Sequence, residues 1–349
     1  MRELFEETIE RVLSDLVTPE LIAEAERGAW PDLLWQAIID TGLGPAAAPE
    51  ALGGVGGSWH DSFALIRAAG RHAAPLPLAE TIAVNWLLGL AGLDAAQGAA
   101  SLGTGTGTLS NGHYSGSVAD VPWGGSVDDV LVVASGSAPE LVLLPRANAQ
   151  VSQAWNVARE PRDLLIFSDA APVARAPLPA GSSSEIIAQT GAMIRAAQIA
   201  GGLARLLHVA TDYANQRVQF GRPIGKFQAI QHQLALLAEQ TALASAAAEM
   251  AFALSAAGPA PFAIAGAKSV ASEAAGQGAA IAHAVLGAIG FTYEHSLHFT
   301  TRRLWSWRAE FGSQTYWAQS LGQAMCGAGG TGFWPALTGA MAIDAQETT

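Results

Sequence analysis

Between Asn215 and Gln231 the chain reads N-Q-R-V-Q-F-G-R-P-I-G-K-F-Q-A-I-Q, which puts a basic residue, an aromatic, a helix stop and a helix restart in one short segment. A helix is predicted to run in from Leu203 to Phe220. Gly221 tolerates a left-handed cap and Pro223 cannot continue the hydrogen-bond ladder, so the helix should end there. A second helix is predicted from near Phe227, with Ile230, Leu234 and Leu237 at helical spacing on one face. Arg217 would then occupy a last turn beside the fresh N-terminus of the next helix. A fixed guanidinium next to free backbone N–H groups suits a phosphate or pyrophosphate. The same residues also suit an ordinary helix–turn–helix in which Arg217 is a solvated C-terminal charge.

Two other groups of residues invite chemistry and give less. Pro49 to Ser58 is a glycine-rich loop, but no strand pattern precedes it and no lysine follows, which argues against a phosphate-binding P-loop. His295 and His298 sit at helical spacing, with His283 a little earlier. No cysteine or third ligand joins them at ligand spacing, so a structural pair at a subunit interface is expected and no metal.

The elements that must position these residues fall into three stretches. Residues 1–97 read as helical, with Leu4, Phe5, Ile9, Val12 and Leu13 in one stripe and Leu33, Leu34, Ala37 and Ile38 in another. Over 98–182 glycine, threonine, serine and valine rise and helical periodicity fades. Val130–Ala134 and Glu140–Leu144 are strand candidates, and Asn111-Gly112 is a hairpin signal. Gly181–Ser184 reads as a linker with a helix cap. Residues 183–349 are helical and alanine-rich. The expected class is α+β: an N-terminal helical domain, a small middle β domain and a C-terminal four-helix bundle.

Composition narrows the partners. Half of the 349 residues are hydrophobic and 14% are charged, which is ample for a large core. A net charge of −12 leaves no basic stripe for nucleic acid. No uninterrupted apolar run of about 18 residues is present, so no membrane span is expected. The most apolar stretch, Ala242 to Ala257, reads as a buried helix. The lone Cys326 excludes an internal disulfide. The N-terminus is acidic and amphipathic without a signal-type apolar region, and a reducing cytoplasm is the expected location.

The segment R-x-x-F-G-x-P-I-x-x-F-Q-x-x-Q, here Arg217 to Gln231, resembles the C-terminal helical domain of the acyl-CoA dehydrogenases. The resemblance is close over Ser184 to Gly312 and extends more loosely to Pro49–Gly57 and Ala74–Glu80. It implies an FAD-dependent oxidoreductase of lipid degradation that desaturates an acyl-CoA between Cα and Cβ, with an electron-transfer flavoprotein as acceptor. It also implies that Arg217, Phe220 and Gln228 contact the FAD of a neighbouring subunit. A second FAD contact, Q-x-x-G-G-x-G-F in the family, reads Ala284 to Phe291 here; it retains Gly287 but has Ala284 for the glutamine and Ala288 for a glycine. The family's T-E-P-x-x-G-S-D loop and W-I-T/S-N strand, which hold the flavin ring, are not found.

For the base, three positions come into question by the same resemblance. Glu310, in Glu310-Phe311-Gly312-Ser313, stands near the family's E-G-T-S turn, displaced by one. The early position on the first bundle helix reads Thr190-Gly191-Ala192-Met193, without a carboxylate. Glu294, in Gly290-Phe291-Thr292-Tyr293-Glu294-His295, is expected to pair with Arg302 or Arg303. The family includes bacterial α2β2 heterotetramers acting on steroid side-chain CoA esters, and this chain resembles their shorter subunit. That implies a homologous partner subunit carrying the base. The alternatives are a self-sufficient homotetramer with Glu310 as base, and a flavin-free scaffold subunit.

Overall fold

The computed structural model describes residues 1–342. The chain opens with five helices: α1 (Arg2–Leu16), α2 (Pro19–Ala25), α3 (Asp32–Thr41), α4 (Trp59–Arg71) and α5 (Leu78–Leu90). Ser58 and Asp61 cap α4 reciprocally, so the start of that helix is written in the sequence. Helix α5 is buried from Leu78 through Leu88. The ring of Trp59 stacks on Trp86 at 4.2 Å and on Phe252 at 4.7 Å, which joins this region to the C-terminal bundle.

Eight strands follow: β1 (Ala100–Leu102), β2 (Thr104–Ser110), β3 (His113–Pro122), β4 (Asp129–Ala134), β5 (Glu140–Pro145), β6 (Ala149–Ser152), β7 (Arg162–Ala170) and β8 (Ala174–Pro177). They form two four-stranded sheets, ordered β1-β4-β5-β8 and β2-β3-β7-β6. Val118, Val130, Val132, Val142, Leu165 and Phe167 fill the space between them. Asn111 (φ 52°) and Gly112 (φ 84°) turn β2 into β3, as expected of this dipeptide.

The bundle consists of α6 (Ile186–Gln216), a two-residue ribbon of β9 (Val218–Gln219) and β10 (Arg222–Pro223), α7 (Gln228–Leu254), α8 (Pro261–Leu286), α9 (Leu297–Trp307) and α10 (Gln314–Ala342). Helices α4 and α6 touch backbone to backbone. A Cβ on Gly201 would lie 1.9 Å from the Arg67 carbonyl oxygen, and one on Gly70 would lie 2.1 Å from that of Gln198.

Several local expectations are corrected. Helix α6 ends at Gln216 rather than Phe220, because Phe220 (φ 52°) and Gly221 (φ 80°) form the tip of the β9–β10 ribbon. The residue before α6 is Glu185, and no side chain caps the helix. The glycine-rich loop is a packing loop: the N–H groups of Gly54, Gly56 and Gly57 are spent on the carbonyls of Pro49, Ala48 and Ala46. The 242–257 stretch is buried on one side only, leaving Leu243 and Met250 exposed. The segment long and apolar enough to cross a bilayer is instead Pro261–Phe291. Its helix α8 packs against α6, α7 and α10 and carries a fully buried Lys268, the marks of a bundle's central helix.

Candidate functional site

Glu310 lies just beyond α9, where the bundle meets the β sheets. It lines a cleft of about 590 Å³ together with Thr104, Asp120, Trp155, Trp305 and Phe311. Its carboxylate is fully engaged. Oε1 accepts from Arg162 Nε at 2.9 Å and from Asn156 Nδ2 at 2.9 Å. Oε2 accepts from Arg195 Nε at 2.6 Å and from a terminal guanidinium nitrogen of Arg162 at 3.0 Å. Burial pushes the acid upward, but Arg162 and Arg195 outweigh it and hold the pKa at about 2. In Thr190–Met193, the other stretch considered for a base, a Cβ on Gly191 would lie 2.3 Å from the Phe311 ring. Phe311 itself adopts φ 52°, and the Arg195 guanidinium sits 5.5 Å from its centroid.

The two arginines belong to a longer alternating chain. Arg195 pairs with Glu80 at 2.7 Å and donates to Gln198 Oε1. Arg162 also pairs with Glu160 at 3.0 Å, and Glu160 with Arg303 at 3.1 Å. Glu160 accepts further bonds from Asn156 Nδ2 and Trp307 Nε1. Arg303 and Arg302 both reach Glu26, at 3.3 and 2.6 Å. Four carboxylates and four guanidiniums thus alternate from α5 through α6 and β7 to α9 and the end of α2, nearly all out of water. Lys268 pins the Glu310 loop from the other side, donating from Nζ to the carbonyls of Arg308 (3.0 Å) and Gly312 (2.9 Å).

Sequence reasoning missed most of this chain. The signal was there: Arg195 is a lone charge in an otherwise apolar helical stretch, and Glu80 another, and such residues are buried only when paired. The expected partner of Arg302 and Arg303 is corrected from Glu294 to Glu26 and Glu160, because Glu294 is exposed on the turn before α9 while Glu26 caps the facing end of α2.

The α6–α7 connection faces outward. Arg217 ends α6 and is exposed, with its N–H on the Tyr213 carbonyl and its own carbonyl taken by Ile224 N–H. Phe220, at the ribbon tip, is 92% exposed. Gln228 is the first residue of α7 and also exposed, and no side chain caps that helix. Arg222 is drawn aside onto the Phe227 ring, 4.3 Å from its centroid. Gly287 ends α8 at φ 65°, with Ala284 and Ala288 exposed on either side.

Among the described residues this surface offers an exposed guanidinium without an ion pair, a helix N-terminus without a side-chain cap and a ring in solvent, features that suit a phosphate-bearing ligand. A single residue, Gly103, links β1 to β2; its N–H is spent on the Leu131 carbonyl and a Cβ there would meet Val118 at 2.4 Å. That leaves no loop between β1 and β2.

The histidines make local contacts. His295 Nδ1 accepts from Leu297 N–H, His298 Nδ1 lies 2.9 Å from the His295 carbonyl, and His283 stacks against Phe291 and Trp305. Among the described residues no cluster of three metal-ligating side chains occurs.

Comparison with known proteins agrees with the architecture. The acyl-CoA dehydrogenase C-terminal domain matches residues 188–325. Acyl-CoA dehydrogenase IpdE2 of Mycobacterium tuberculosis is 30% identical over 313 residues, covering 86% of this chain and 90% of that protein. A chain of the ChsE4-ChsE5 complex from Mycobacterium tuberculosis superposes with a TM-score of 0.82 at 21% identity, over 92% of this chain and 96% of that one. A chain of the Tcur3481-Tcur3483 steroid acyl-CoA dehydrogenase, in its G363A variant, superposes with a TM-score of 0.82 at 22% identity, also over 92% and 96%.

Proposed function

The chain belongs to the acyl-CoA dehydrogenase family, and from that premise we propose that it is the companion subunit of a heteromeric FAD-dependent acyl-CoA dehydrogenase. In this reading a homologous partner subunit, in an α2β2 assembly, carries the base and the acyl pocket. The substrate class is a CoA ester of a steroid side chain, and an electron-transfer flavoprotein is the acceptor. The likeness to a steroid acyl-CoA dehydrogenase and to a two-component complex supports this choice.

The observation that carries the proposal is the contrast between the cleft at Glu310 and the outward segment at Arg217. Glu310 is locked by Arg162, Arg195 and Asn156, and Phe311 covers Gly191. The outward segment of Arg217, Phe220 and Gln228 is intact and unobstructed. Those three residues would hold FAD seated in the partner: Arg217 neutralises phosphate charge, the first N–H groups of α7 add donors, and Phe220 shields the cofactor from water. FAD, when bound, supplies the acceptor for the Cβ hydride. The partner's carboxylate removes the Cα proton, and this chain contributes binding and water exclusion.

Arg217→Ala in the co-purified two-chain complex tests this. Loss of flavin from an otherwise assembled complex is the expected result, and unchanged flavin content would count against the proposal. The second reading, a self-sufficient enzyme with Glu310 as base, has in its favour that Glu310 does line the interdomain cleft.

A further inference from the structure

A second cleft, of about 370 Å³, opens between the ends of α1, α2 and α4 and the start of α9, and shares no lining residue with the cleft that holds Glu310. Two guanidiniums face it: Arg71, from the last turn of α4, and Arg205, from the middle of α6. The α4–α6 backbone contact at Gly70 and Gly201 brings these two helices together. Neither arginine forms an ion pair within 4.0 Å among the described residues. The carboxylate in the cleft, Glu10, is already taken by His72 Nε2 at 2.8 Å. Asp212, further along α6, is paired with His208 at 3.2 Å. Burial and then the facing Arg71 charge lower the Arg205 pKa, with Asp212 opposing, so the two like charges sense one another.

Two guanidiniums that line one concavity without an ion pair within 4.0 Å match a phosphate group better than any neutral ligand, because their planar forks fit its oxygens. The volume exceeds what a bare ion fills, since a single water occupies only about 30 Å³ of liquid. Hydroxyls of Ser14, Ser296 and Thr300 line part of the remaining wall, and Val17, Ile22 and Phe299 make an apolar floor. We propose that this cleft binds the phosphate monoester of a compact apolar or aromatic small molecule, the phosphate between Arg71 and Arg205 and the body on Val17, Ile22 and Phe299. The site is independent of the flavin surface at Arg217 and of the function proposed above.

Calorimetric titration of the full chain, in its complex, with phenyl phosphate, inorganic phosphate and benzoate tests this. The proposal expects phenyl phosphate to bind at least tenfold more tightly than either of the others. The pair Arg71→Gln and Arg205→Gln should weaken that binding at least tenfold, while Arg217→Ala leaves it unchanged. Both arginines are exposed, so the double variant should keep the parent melting temperature in the absence of ligand. Equal affinity for phenyl phosphate and inorganic phosphate would mean an adventitious ion only, and would overturn the proposal. Equal affinity for benzoate, binding that survives the double variant, or no binding would overturn it too.

Discussion

A general base must have a free lone pair and a pKa near the working pH. Glu310 has neither, because two arginines and an asparagine occupy its oxygens and hold its pKa at about 2. The same bonds make it a stability element. Its folded pKa lies below the unfolded value of about 4.3, so its contribution is fully present above that value and is lost as pH falls from there toward 2. A depression of roughly two units corresponds to about 3 kcal/mol. Glu310→Gln should therefore destabilise the chain by about 3 kcal/mol at pH 7, in line with breaking one partner of a buried pair. The gap to the parent protein, followed by denaturant melts, should narrow as pH is lowered from 4.5 to 2. Turnover of the two-chain complex should survive the substitution. A folded Glu310→Gln complex without turnover would instead make Glu310 the base.

At the scale of elements, the ribbon tip is built for contact rather than for stability. Phe220 holds a left-handed backbone conformation with its ring 92% exposed and only an edge-on contact to Phe227 at 6.1 Å, an arrangement that costs the isolated chain more than it returns. Phe220→Ala should leave the melting temperature of this chain unchanged and lower flavin retention in the complex; a drop in the melting temperature with flavin retained would reverse that assignment. Glycine has the opposite role at the α4–α6 crossing. Gly201→Ala would drive a methyl into the Arg67 carbonyl and should cost about 1–3 kcal/mol, read by urea denaturation. Much of the element order was legible: the Asn111-Gly112 turn and the apolar strands β4 and β5 declare themselves through local chemistry. The ribbon was not, because R-V-Q-F-G-R-P carries no strand-length alternation, and its glycine signals a stop without saying which. The site was half legible. Arg217, Phe220 and Gln228 lie close in sequence, whereas Glu310, Arg162, Arg195 and Glu80 meet only after the chain has folded three regions together.

Across the whole molecule, the alternating chain from Glu80 to Arg302 ties the N-terminal helices, the β sheets and the bundle into one body through buried charge. Such a network is weak evidence for stability, since apolar packing of equal volume often serves as well, but it cannot be broken cheaply at one link. It fixes the β sheets against the bundle beside the cleft that Glu310 lines. The outer surface is unfinished by contrast: Phe220, Phe291, Tyr293 and Trp334 stand 92%, 72%, 86% and 66% exposed. The engaged Glu310 and the exposed Arg217–Gln228 segment lead to a prediction about assembly. Purified alone, this chain should be colourless and aggregation-prone. Co-expressed with a homologous dehydrogenase subunit, it should be recovered in a yellow complex whose native mass equals two copies of each chain. The flavin absorbance should fall with Arg217→Ala and withstand Glu310→Gln. A yellow tetramer of this chain by itself would overturn the companion reading, because the cofactor would then have found both halves of its site in one sequence. A two-chain complex that turns over identically with Arg217 and Phe220 replaced would leave this chain a scaffold.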